Sequence, residues 1–140
     1  MKILYETEAT AIGGRMGSTA SVDGALRVRL AMPEAIGGSG GEGSNPEQLF
    51  AAGYAACFLS AMKDAAAQER AVIANDANVT ATVGLGMRED GLGLCLQVAL
   101  GIDLPGVDRA TAERIVASAH EACPYSNATR GNVDVRLRIA

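Results

Sequence analysis

The segment Leu49–Met62 is apolar on nearly every side, and this feature constrains the fold more than any other. It reads LFAAGYAACFLSAM. Just before it, Asn45, Pro46 and Gln48 are residues suited to cap and begin a helix. A helix without a polar face must be buried on nearly every side, and a segment of this length is too short to span a bilayer. The sequence therefore predicts a central helix that other elements cover.

Alternation of apolar and polar residues predicts strands on both sides of this helix. The segments concerned are Lys2–Ala11, Thr19–Leu30, Ala77–Arg88, Leu92–Leu104 and Val133–Ile139. Asp23-Gly24 and Glu89-Asp90-Gly91 are suited to hairpin turns, whereas Ala31–Ser44 contains too many glycines for regular structure. In the fourth segment we expect one face to collect the apolar side chains of Leu92, Leu94, Leu96, Val98, Leu100 and Ile102.

The remaining segments are polar or helical. Lys63–Arg70 is polar and follows the central helix, and Asp108–Ala122 has apolar residues at helical spacing until Pro124 ends that helix. The predicted order is ββ(β)αββαβ, which belongs to the α+β class. Because a chain of 140 residues has the usual size of one domain, we expect residues 1–140 to form a single domain.

Composition and charge argue against several classes of partner. The net charge is −4 with no basic cluster, and aromatic residues make up 4%, so nucleic acid is not an expected partner. A Gly-x-Gly-x-x-Gly pattern over Gly38–Gly43 lacks the preceding buried strand that a nucleotide site requires. The N-terminus reaches acidic residues before any apolar stretch of leader length, so we expect a cytoplasmic protein and no membrane partner. Thiols stay reduced in that compartment, so the three cysteines must be interpreted individually.

Cys57 and Cys123 are the candidate redox residues. Cys57 lies inside the apolar helix, where a small core side chain is the ordinary interpretation. Cys123 precedes Pro124 at a helix end, where irregular backbone allows a side chain to reach a cleft. If the two sulfur atoms meet, one can attack an oxidant and the other can close a disulfide on it.

A reactive thiolate at Cys57 requires a nearby cation, because burial raises the pKa of a thiol whereas nucleophilic attack requires a lowered one. The dipole of its own helix fades within the first turn, and Lys63 lies off the face of the cysteine. Arg15, in a glycine-rich loop, is the candidate cation, and Glu47 could hold its guanidinium by a two-point contact. The ordinary alternatives are a solvated Arg15 and a Glu47 that favours a helix N-terminus.

Glu47 and Cys57 are separated by about 15 Å of rise along one straight helix. They cannot touch directly, so either Arg15 bridges them or the groups come from different subunits. The helix itself also favours a second subunit, because one small sheet can cover only one side of it. We therefore expect a homodimer, with Arg15 reaching Cys57 across the interface.

Cys95 and His120 are weaker candidates. Cys95 falls on the less apolar face of its strand with no cation nearby in sequence, which indicates a structural or incidental residue. His120, Cys57 and Cys123 together could supply three zinc ligands. A close Cys-x-x-Cys pair and a second histidine are both lacking, so a metal site is the less favoured alternative.

Two motifs carry a resemblance to a known family. Asn45–Phe58, NPEQLFAAGYAACF, and Cys123–Asn132, CPYSNATRGN, resemble the two signatures of the organic hydroperoxide resistance proteins, a branch of the OsmC-like family. The similarity extends along the whole chain. Met16 departs from the pattern, since relatives commonly carry an acid after the arginine.

The resemblance implies a fold, an activity and site residues. The implied fold has antiparallel sheets packed around a buried central helix in an intertwined homodimer. The implied activity is the reduction of organic and fatty-acid hydroperoxides in preference to hydrogen peroxide, with lipoylated proteins or other dithiols as reductant and no metal, nucleotide or other cofactor. The implied catalytic residues are Cys57 (peroxidatic), Cys123 (resolving), Arg15 and Glu47. Two alternatives remain open, an OsmC-like peroxidase of broader preference and a cysteine redox sensor without turnover.

Overall fold

The computed structural model describes residues 1–140 and divides into two compact units, Met1–Leu49 and Phe50–Ala140. The first unit is an antiparallel sheet in the order β1-β2-β3, formed by β1 (Ala9–Ile12), β2 (Ser18–Ser21) and β3 (Arg27–Arg29). The prediction of a strand over Lys2–Ala11 is wrong for the residues before Ala9. The partner strand β2 ends at Ser21, opposite Ala9, and one more backbone hydrogen bond follows, from the Val22 N–H to the Glu8 carbonyl at 3.0 Å. The chain then turns at Asp23 and Gly24, so the residues before Glu8 lie beyond the end of the partner strand.

Helix α1 spans Pro46–Gln68. The predicted capping box is confirmed, since Asn45 Oδ1 accepts from the Gln48 N–H at 2.8 Å and Gln48 Oε1 accepts from the Asn45 N–H at 3.0 Å. The helix continues past Met62, so the prediction of a separate polar segment after that residue is wrong. Good helix formers follow Met62, and two of them, Ala65 and Ala66, are buried.

The second unit contains a sheet in the order β4-β5-β6, formed by β4 (Asn78–Met87), β5 (Leu94–Asp103) and β6 (Val135–Ile139). β4 and β5 form the predicted antiparallel hairpin, with Val83 opposite Val98. β6 lies parallel to β5, which corrects the expectation of purely antiparallel sheets. The chain between β5 and β6 contains two helices, and such a long crossover can bring a strand back in the same direction.

Those two helices are α2 (Arg109–Ala122) and α3 (Pro124–Thr129). Pro124 follows the end of α2, as predicted, but it also begins α3, which the sequence analysis missed. The physical reason is that proline suits the first position of a helix, where its missing N–H would have no intrahelical partner. The observed order is therefore βββαββααβ, and the α+β class is confirmed.

The core of the second unit packs one side of α1 against β5 and α2. Its fully buried large side chains are Tyr54, Phe58, Met62, Val98, Leu100, Ile102 and Ile115. Leu92 and Leu94 are exposed, so the predicted apolar face of this segment is buried only from Val98 onwards. Ala52, Ala56 and Ser60 on α1 are also exposed, so the chain by itself covers this helix on one side only. None of the helices is both long enough and apolar enough to cross a membrane.

Candidate active site

Cys57 and Cys123 meet in the second unit. The Sγ atom of Cys123, acting as donor, lies 3.6 Å from the Sγ atom of Cys57, and both residues are free thiols. Because a disulfide bond is about 2.05 Å long, a small movement would join the two sulfur atoms. The structure thus brings together the two cysteines that the sequence analysis singled out.

Cys123 reaches this position because it stands between two helices. Its backbone is extended, with φ −65° and ψ 124°, and it ends α2 while it begins α3. The following residue, Pro124, forces this conformation, since a proline disfavours helical angles in the residue before it. The side chain of Cys123 is fully buried, whereas Cys57 is half-buried.

A cleft of about 420 Å³ opens beside Cys57. Besides Cys57 and Pro124, its lining consists of three alanines and four polar residues: Ala61, Ala65, Ala122, Ser60, Asp64, Gln68 and Ser118. Cys123 is not part of the lining. A small molecule in this cleft therefore lies against Cys57 and not against Cys123.

The surroundings of Cys57 act on its ionisation in opposite directions. Burial raises the pKa of the Cys57 thiol, and the neighbouring Cys123 thiol raises it further. The backbone N–H of Tyr125, in the first turn of α3, lowers this pKa by hydrogen bonding to the sulfur. A thiol whose pKa is raised is a weak nucleophile at neutral pH, so the pair requires additional positive charge to react quickly.

Tyr54 anchors a group of polar side chains that lies against the cysteines and that the sequence analysis missed. Its hydroxyl lies 2.9 Å from Ser126 Oγ and 3.4 Å from Thr129 Oγ1, and all three side chains are buried. Ser126 Oγ also lies 3.0 Å from Nδ1 of His120. A signal was available, because a tyrosine in a wholly apolar helix needs a partner for its hydroxyl, and the second motif contains Ser126 and Thr129.

Arg15 and Glu47 pair within the first unit. Arg15 donates from Nη1 to Glu47 Oε2 at 2.8 Å and from Nη2 to Glu47 Oε1 at 2.6 Å, the two-point contact that the sequence analysis considered. These hydrogen bonds hold the pKa of Glu47 below its ordinary value and raise the pKa of Arg15. The guanidinium is therefore fixed in orientation beside a permanent carboxylate.

A glycine-rich turn holds Arg15 in this position. Arg15 lies in a single 3₁₀ turn, Gly14–Met16, after Gly13, whose φ is 76°. Gly17 closes the turn so tightly that a Cβ atom there would lie 1.7 Å from the carbonyl oxygen of Ile12. Met16 is exposed.

The weaker candidates lie outside both pairs. Cys95 is exposed on β5. His120 is engaged with Ser126, and no group of three or more His, Cys, Asp or Glu side chains is arranged to hold a metal ion. The zinc alternative therefore gains no support.

Comparison with known proteins first defines a class. The family model described as OsmC-like protein matches residues 38–138. A crystal structure of an organic hydroperoxide resistance protein from Legionella pneumophila superimposes with a TM-score of 0.92, at 49% identity and with 99% of each chain covered. That of the organic hydroperoxide resistance protein OhrB of Bacillus subtilis gives a TM-score of 0.89 at 43% identity, covering 99% of this chain and 100% of the other.

The branch within that class follows from a curated relative. The organic hydroperoxide resistance protein of Xanthomonas axonopodis pv. citri is 48% identical over 139 residues, which are 99% of this chain and 96% of the relative. The chain belongs to the organic hydroperoxide resistance branch of the OsmC-like family. The resemblance seen in the two motifs is confirmed.

Proposed function

We propose that this protein is a cysteine-based peroxidase that contributes to resistance against organic hydroperoxides, including those of fatty acids. The observation that carries the proposal is the 3.6 Å separation of two free thiols, of which only Cys57 lines an open cleft. The names of the relatives support the substrate class. The proposal treats residues 1–140 as one functional domain that acts in the cytoplasm.

The cycle we propose has three steps. The Cys57 thiolate attacks the terminal oxygen of the hydroperoxide, the O–O bond breaks, and the alkoxide takes a proton and leaves as the alcohol. Cys123 then attacks the sulfur of the Cys57 sulfenic acid, which forms the disulfide and releases water. An external dithiol, such as the lipoyl group of a lipoylated protein, restores both thiols through a mixed disulfide and is itself oxidised. No resident cofactor takes part.

Steady-state turnover tests this function. We expect many turnovers of cumene hydroperoxide with dihydrolipoamide as reductant, and a lower kcat/KM with hydrogen peroxide. The three alanines and Pro124 in the lining of the cleft offer apolar contact to an organic group, which hydrogen peroxide lacks. Alcohol formation measured by chromatography reports the rate. Equal rates with both peroxides would favour an OsmC-like peroxidase of broader preference. A single oxidation without turnover would instead identify a redox sensor.

We further propose that the protein is a homodimer built on the exposed side of α1. Ala52, Ala56 and Ser60 follow one another at four-residue spacing, so they form a stripe of small side chains on one face of the helix. Small residues allow a second helix or sheet to approach closely. Such a contact would bury the apolar side of α1 that the chain itself leaves uncovered.

Mixed dimers test whether the site is shared between subunits. We expect that Arg15→Ala chains, in which the attack on peroxide is slow, regain about a quarter of the wild-type activity when they are refolded together with inactive Cys57→Ser chains. Random pairing makes half of the dimers mixed, and each mixed dimer would contain one of two sites intact. Differently tagged chains show that mixed dimers form, and each variant refolded alone is the control. Formation of mixed dimers without this recovery would place both residues in one chain.

A further inference from the structure

A continuous line of hydrogen bonds in the second unit joins one imidazole ring and three hydroxyl groups, in the order His120, Ser126, Tyr54 and Thr129. We call it the hydroxyl chain. Its last member, Thr129, donates to the backbone carbonyl oxygens of Tyr125 at 3.0 Å and Ser126 at 3.1 Å. Tyr54 and Ser126 are fully buried and Thr129 nearly so. The three hydroxyl groups are therefore shielded from water, whereas His120 at the end of the chain is half-buried.

One set of hydrogen-bond directions uses every contact of the hydroxyl chain, including the long one of 3.4 Å between Tyr54 and Thr129. Thr129 uses its one hydroxyl proton on backbone carbonyls, so it accepts from the hydroxyl of Tyr54. Tyr54 then has no proton left for Ser126 and must accept from it. Ser126 in turn has no proton left for His120. The assignment that uses every contact therefore requires Nδ1 of His120 to carry a proton and donate to Ser126.

The hydroxyl chain connects the two elements that carry the cysteines. Tyr54 lies three residues before Cys57 on α1, which places both side chains on one face of the helix. Ser126 lies in the first turn of α3. Cys123 is the N-cap of this helix, and its carbonyl accepts from the Asn127 N–H at 2.9 Å. The 2.9 Å contact between Tyr54 and Ser126 thus fixes α3 against α1 next to the pair of sulfur atoms.

We propose that His120 is a positioning residue, and that its Nδ1–H orients the hydroxyl chain so that Cys123 is held within reach of Cys57. Without that donor the proton of Ser126 can turn away from Tyr54, and α3 loses the directed link to α1. The step that depends on this link is the attack of Cys123 on the Cys57 sulfenic acid. The proposal rests on the proposed peroxidase function.

Stopped-flow oxidation with one equivalent of cumene hydroperoxide tests the proposal. We expect His120→Leu and Ser126→Ala to form the Cys57 sulfenic acid at the wild-type rate but to close the disulfide about fivefold more slowly, an effect of the size of one lost neutral hydrogen bond. In excess peroxide the slower variants should accumulate more Cys57 sulfinic acid, which mass spectrometry measures. His120→Asn keeps an N–H donor near the Nδ1 position and should restore the rate. Glu113→Gln, on the exposed face of the same helix and paired with Arg109, provides the control.

Two results would overturn the inference. One is disulfide closure at the wild-type rate in both His120→Leu and Ser126→Ala. The other, which needs no variant, is a nitrogen NMR spectrum of the reduced wild-type protein at neutral pH in which Nδ1 of His120 carries no proton. If the wild-type protein forms no sulfenic acid at all, the proposed function fails, and the NMR spectrum still decides the direction of the hydroxyl chain.

Discussion

Replacement of Cys57 by serine is expected to reduce peroxide turnover to the uncatalysed rate, whereas Cys123→Ser should react once per chain and stop with a sulfenic acid at Cys57. The reason is the asymmetry of the pair, since Cys57 lines the cleft and Cys123 is fully buried behind it. Without Cys123 no thiol of the pair remains to condense with the sulfenic acid. A dimedone-type reagent followed by mass spectrometry identifies the labelled residue.

The exposed third cysteine gives the matched control for this prediction. Cys95→Ser should retain full turnover, because Cys95 lies on β5 and belongs to neither pair of the candidate site. The roles of Cys57 and Cys123 would be reversed if Cys57→Ser continued to turn over and its Cys123 took the label. Loss of turnover in Cys95→Ser would show that the resolving thiol had been assigned wrongly.

Replacement of Arg15 by alanine should raise the pKa of Cys57 and slow the attack on peroxide by about 10- to 100-fold. This factor corresponds to the loss of one hydrogen bond to a charged group. The reason is electrostatic. Burial and Cys123 both raise the pKa of Cys57, and a reactive thiolate needs a nearby cation, which Arg15 would supply. A lowered pKa populates the thiolate at lower pH. Loss of Arg15 should therefore shift the thiolate absorbance titration and the pH–rate profile to higher pH.

Two further variants separate the charge of Arg15 from its orientation. Arg15→Lys keeps the positive charge but cannot reproduce the two-point contact, so its effect should be intermediate. Glu47→Ala should also raise the pKa of Cys57, but less than Arg15→Ala. It releases the guanidinium from its fixed orientation while it removes a negative charge, and these two effects oppose each other. An unshifted thiolate titration in Arg15→Ala would remove this arginine from the mechanism.

The position of Cys123 was predictable in part from one neighbour. Pro124 dictates an extended residue before it, which is why Cys123 leaves the helical path, and this much can be read from the sequence. The same proline led to an error, since it also starts α3. A proline is compatible with both the end and the start of a helix, so the local sequence did not decide between them.

The hydroxyl chain was not predictable from local patterns. His120, Ser126 and Thr129 lie near one another in sequence, but their partner Tyr54 is 72 positions from Ser126 and sits in an apolar helix. Sequence reasoning therefore indicated that Tyr54 would be buried without identifying the partner of its hydroxyl. The partner depends on how α3 packs against α1, which is a long-range contact.

The elements that could be predicted are those whose causes lie within a few residues of chain. The capping residues Asn45 and Gln48 fixed the start of α1, and alternating residues fixed the β4–β5 hairpin, because these signals act over a few residues of chain. Three relations emerge only when the chain is folded: β6 lies parallel to β5, Cys57 lines a cleft while Cys123 is buried, and their sulfur atoms lie 3.6 Å apart. Such relations depend on packing between segments distant in sequence, and no local preference of the backbone encodes them.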